Sequence, residues 1–192
     1  MLLSPLLWTM LLAVSVVSIP STQAMTNDNI LSKEDIAVFD AAKRATTDAR
    51  KSMQQLCQKG DKQAIQGHFQ ALQPPLKQLS FHIQAMFQSA KTIALKRKAY
   101  MKEFVGIVID LNEIVKVVKG YPDIVVSVKV QVKQLDVFLL HISDSLTEAD
   151  VDINKGFVGT QVNFQMMLDF GFGFAELYLP KPKNTPRKPP SA

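Results

Sequence analysis

The 192-residue chain holds a single cysteine, Cys57, so no intrachain disulfide can brace it and packing alone must stabilise the fold. It holds no Asn-x-Ser/Thr sequon, which excludes N-glycosylation. It has no G-x-S-x-G, P-loop or G-x-G-x-x-G pattern, so the commonest nucleophile and phosphate-binding devices are missing. His68 and His82 stand about 21 Å apart along a straight helix, and His141 has no sequence-local partner, so no zinc site is indicated. Asp150-x-Asp152-x-Asn154 imitates the start of a calcium loop but places Lys155 at the turn and Gln161 where a bidentate acid belongs. These acids read instead as charges favoured at a helix N-terminus. A metal, a cofactor and catalysis are therefore not expected.

One stretch lacks charge altogether and another lacks acids. Met1 to Ala24 carries no charged side chain. Its apolar run, Leu6 to Ile19, is shorter than the ~20 residues of a membrane span, and Thr22-Gln23-Ala24 offers small residues at a cleavage site. Residues 1–24 read as an export signal cut after Ala24, with an uncleaved anchor as the alternative. The second stretch lies between Asp61 and Glu103, where there is no acid, while Lys62, Lys77, Lys91, Lys96, Arg97, Lys98 and Lys102 supply positive charge. A solvated helix face explains such a run, as does a patch for an anionic lipid or an acidic partner. The last 13 residues hold five prolines and four cations without an acid; leaving those cations out lowers the net charge from +5 to +1. Residues 180–192 thus read as a disordered basic, Pro-rich tail. The near-neutral remainder argues against nucleic acid as a partner.

What is present is helical periodicity. Ser32 to Ile36 reads as a capping box, with Ser32 as cap and Asp35 reaching back. Phe39, Ala42, Thr46, Ala49, Met53 and Leu56 then recur at steps of 3 and 4 until Gly60, which predicts a helix over 33–59. Its Ala/Thr-rich seam lets a neighbour approach closely. Asp61 can cap a second helix whose seam, Ile65 to Met86, keeps its phase through Pro74 and Pro75, so a kink is expected there. A third seam runs from Ile93 through Tyr100 and Phe104 to Val118. No Gly or Pro separates it from the second, yet an unbroken helix from 75 to 119 would be about 67 Å long. The length predicts a turn near Gln88 to Thr92.

Val126, Val128, Val130 and Val132 alternate as in a strand, but the wider seam from Val125 through Leu135 and Leu139 to Leu146 predicts a helix. Thr147 to Asp150 repeats the capping pattern and predicts a last helix towards Tyr178. Phe157, Phe164, Phe170, Phe172, Phe174 and Tyr178 crowd that element on several sides, as in the central helix of a bundle. On that reading Phe164 carries more of the core than Phe172, which glycines flank; the alternative frays Phe170 to Phe174 into an exposed apolar loop.

The expected fold is all-α: an antiparallel bundle of four to five long helices over residues 25–179. No motif identifies a family, although the plan is similar to that of small secreted all-helical proteins of fungi, hydrophobic-surface-binding proteins and host-directed effectors among them. That likeness is one of architecture and transfers no residues. The expected function is that of a secreted, non-enzymatic interaction protein, an effector candidate, binding a protein through helix surfaces. The alternative is binding to a lipid or apolar surface through the Phe-rich element and the basic stretch 62–102. The candidate interaction surface comprises Lys91, Lys96, Arg97, Lys98, Lys102, Phe170, Phe172 and Phe174.

Overall fold

The computed structural model describes residues 31–86 and 90–180, with 90–95 by backbone alone. The proposed signal segment and nearly all of the basic tail lie outside the described residues, as do Gln88 and Ser89 of the expected turn. The described residues are helical and contain no strand. Helix α1 (Lys33–Lys59) begins at the capping box: the Ser32 hydroxyl accepts from Asp35 N, and the Asp35 carboxylate accepts from Ser32 N. Gly60 closes it in the left-handed conformation. Asp61 caps α2 (Lys62–Ala71) by accepting from Ala64 N.

The expected kink is a restart. Leu72 alone separates α2 from α3 (Gln73–Met86), so Pro74 and Pro75 sit in the first turn of α3, where a missing amide donor costs nothing. Ile65, Phe69, Leu72, Leu76, Leu79 and Ile83 are nevertheless all buried, so both halves face one core. Helix α4 (Ala90–Val118) already contains Thr92, and Pro122 opens α5 (Pro122–Glu148), which includes the alternating valines as helix.

The four long elements, counting α2 and α3 as one, form an antiparallel bundle. Helix α1 packs on α4 along Ala42, Thr46 and Ala49, each 0–1% exposed, so the small seam does admit a close neighbour. Helix α5 packs on α2 and α3 but touches α4 little, and the segment after α5 fills the gap between them.

That segment is not the long central helix expected. Thr147 and Glu148 belong to α5, the Thr147 hydroxyl donating back to Ser143 O. The chain then breaks into α6 (Ile153–Phe157), α7 (Phe164–Phe170) and a 3-10 turn, Gly173–Tyr178. Gly171 ends α7 at φ +116°, a conformation other residues avoid. A Cβ on Gly156 would lie 2.7 Å from Val105 Cγ2 and 2.8 Å from Met101 Cγ, so glycine lets α6 press onto α4. The central helix is α4 instead: from Lys96 to Val118 only Lys98, Lys102 and Lys116 are exposed.

Candidate functional site

Asp35 does more than cap α1. It has no exposed surface, and its two oxygens accept four hydrogen bonds. Oδ1 takes His82 Nε2 of α3 at 2.8 Å and Tyr100 OH of α4 at 2.9 Å; Oδ2 takes Lys96 Nζ at 2.5 Å and Ser32 N at 2.7 Å. An ionised carboxylate only accepts, so His82 Nε2 carries a proton. Burial alone would raise the Asp35 pKa, but the bonds from Lys96, His82 and Ser32 outweigh it and hold the carboxyl well below the usual range. Burial, with the Asp35 bond and charge, raises Tyr100 above the ordinary tyrosine range. Every acceptor position of Asp35 is filled from within the protein, so the cluster ties α1 to α3 and α4. Nearer the bundle middle, Asp110 repeats the device on a smaller scale. It accepts from Thr47 at 2.6 Å and pairs with Arg50 at 3.2 Å across the α1–α4 seam.

The residues nominated from the sequence scatter. Lys91 has its side chain outside the description. Lys96 is buried in the Asp35 cluster and offers little surface, a correction whose cause is the desolvated carboxylate it neutralises. Arg97 pairs with Asp150 at 3.5 Å. Lys98 and Lys102 alone remain as an exposed basic pair, one turn apart on α4.

Phe172 and Phe174 are 0% exposed, which corrects the expectation of an apolar docking loop. Their rings form a chain with Phe170, at centroid separations of 6.1 and 6.0 Å, and Asp136 on α5 accepts from Phe174 N at 2.9 Å. The backbone there is pinned rather than frayed. Phe164 is only half-buried, in a triad with Phe157 and Tyr178 at 4.8–5.1 Å. Burial pushes Tyr178 up to about 12, a shift that the Ser143 hydroxyl opposes and the Asp144 charge reinforces.

Cavities lie on the flanks of the C-terminal segment. One, of about 450 Å³, is lined by Asp144, Asp150, Asp152, Leu177 and Tyr178. Its acids are partly neutralised: Asp150 pairs with Arg97, and Asp152 pairs with Lys155 at 3.0 Å while capping α6. Among the described residues no group of three His, Cys, Asp or Glu side chains could hold a metal ion. Cys57 is buried and free, and burial pushes its thiol pKa up.

A second cavity, of about 390 Å³, is a groove between α5 and α7, with Val125, Val126, Met166 and Phe170 as its apolar part and Lys119 and Asp169 also lining it. It opens beside a feature that sequence reasoning missed. Val126, Val130 and Val137 are 75%, 66% and 48% exposed along the outer face of α5. The signal was the strand-like alternation itself: on a helix, positions 128 and 132 point one way and 126 and 130 the other. Once the helix is accepted, half of the valines must face outward.

Comparison of the chain with family models, with curated proteins and with solved structures gives no match.

Proposed function

We propose that the protein is a secreted, non-enzymatic interaction protein, with the role of a host-directed effector, that binds a protein partner through helix surfaces. The observation that carries this reading is the exposed valine face of α5 beside an apolar groove, on a bundle whose other large apolar side chains are mostly buried. Exposed apolar side chains gathered beside an apolar groove favour a site of interaction. A role without catalysis is favoured by the place of two of the perturbed groups, since Asp35 and Tyr100 are sealed inside the protein and bonded to each other. Phe172 and Phe174 have no exposed surface, which favours the protein reading over lipid binding through the Phe-rich element.

The test is chemical cross-linking and pull-down mass spectrometry from extracellular or host extract, alongside co-sedimentation with neutral and anionic liposomes. A protein cross-linked reproducibly to helix-surface residues, without liposome binding, supports the proposal. Liposome binding without a protein partner overturns it.

A further inference from the structure

We propose that the cavity at the C-terminal end of α5 receives the chain's own basic, proline-rich segment, residues 181–192, an inference that stands apart from the reading of this chain as an interaction protein. The chain delivers that segment to the cavity: Leu177 and Tyr178 line it, and Pro180 is the last described residue. Twelve residues follow, about 37 Å at the rise of a polyproline chain, so reach sets no limit. Leu177 is 48% exposed and Tyr178 stands beside it in the wall. Proline-rich segments dock on aromatic and apolar side chains of this kind, because a chain that its prolines already hold extended loses little entropy on binding.

Charge selects this occupant. The charged residues lining the cavity, Asp144, Asp150 and Asp152, are all acids. Arg97 and Lys155 match two of them, which leaves Asp144, exposed and in no ion pair among the described residues. The segment brings Lys181, Lys183, Arg187 and Lys188 and no acid. Its tether strengthens the match, since a short connection holds such groups at an effective concentration in the millimolar range.

Other occupants fit less well. Among the described residues no group of three His, Cys, Asp or Glu side chains could hold a metal ion, and an acidic peptide or anionic lipid carries the wrong sign. The same segment of a second copy has the right chemistry but lacks the tether.

The experiment places p-benzoylphenylalanine at Thr185 of the purified full chain, irradiates it and locates the cross-links by mass spectrometry. Cross-links are expected within residues 144–154 at low ionic strength. Their yield should fall roughly threefold or more at about 1 M NaCl, where the screening length drops to about 3 Å. Asp144→Lys should lower the yield likewise, with an unchanged melting temperature. Adding Lys181→Glu and Lys183→Glu to Asp144→Lys should restore it, which no loss of folding can imitate.

Cross-links confined to residues 177–192, or scattered over the surface, would overturn the proposal. So would a yield indifferent to salt, a charge reversal that restores nothing, or cross-links joining 15N-labelled to unlabelled copies, which would place the segment in a neighbour's cavity. Capture of a partner from extract is read separately, so failure of this contact leaves the interaction reading standing, and failure of capture leaves this contact standing.

Discussion

Replacing Asp35 by alanine tests the structure most directly, because that one carboxylate joins three helices. The substitution removes the acceptor of Lys96, His82 and Tyr100 together and strands the charge of a Lys96 side chain that is only 11% exposed. Breaking a buried ion pair from one side costs about 3–5 kcal/mol. At about 2–4 °C per kcal/mol for a domain of this size, the melting temperature should fall by roughly 6–20 °C. Urea denaturation at pH 7 measures the same loss. The double variant Asp35→Ala with Lys96→Met removes the stranded charge and should recover part of it, which separates an ion-pair effect from a cavity. The pH dependence has a definite sign. The folded-state pKa of Asp35 is depressed, so its contribution is present above the unfolded value near ~3.9 and is lost as pH falls below that towards the folded pKa. The gap between wild type and Asp35→Ala should therefore hold from pH 7 to about 5 and narrow below about 4. A single variant within ~0.5 kcal/mol of wild type, the scatter of ordinary surface substitutions, or a gap that stays constant down to pH 2.5, would refute the assigned role.

Phe172→Ala should destabilise by about 3–5 kcal/mol and Phe164→Ala by clearly less, since the first ring has no exposed surface and the second is half-buried; equal losses or the reverse order in thermal melts would contradict this packing. Gly156→Val should cost about 1–3 kcal/mol by overpacking, because Val105 and Met101 already lie within 2.7–2.8 Å of where its Cβ would stand; an unchanged melting temperature would show that α6 does not seat on α4. N-terminal sequencing of secreted protein should begin at Met25, and a membrane-retained chain that keeps Met1 would defeat the export reading.

The long elements were legible because their evidence is local and repeated. Ser32, Asp35, Gly60, Asp61 and Pro122 all mark helix ends where the sequence placed them, and most of the described seam positions of α1 to α5 are buried in the core. The C-terminal segment was misread because its rings sit at spacings that a helix could also bury. Gly156, Gly159, Gly171 and Gly173 carried the contrary signal, being too frequent for one long helix. The polar cluster was half legible. The capping box exposed Asp35, but His82, Lys96 and Tyr100 come from 47 to 65 residues away, and no spacing rule connects them. For the same reason Lys96 was grouped with its neighbours Arg97 and Lys98, although one step of a helix turns a side chain by 100° and carries it from surface to core.

The burial of the Phe-rich segment changes its relation to the exposed valine face of α5 rather than ending it. Phe170 packs between Phe69 and Phe172 on its inner side, at 6.4 and 6.1 Å, while it also lines the groove between α5 and α7. Val125 and Val126 supply the α5 side of that groove. Its shape therefore depends on α7 being held against α5, and the bond from Phe174 N to Asp136 together with the buried rings of Phe172 and Phe174 does the holding. A change at Phe172 should then weaken partner binding and stability together, whereas a change at Val130 should weaken binding alone. That difference distinguishes a ring that supports a binding surface from one that belongs to it, a distinction the order of phenylalanines along the chain could not draw.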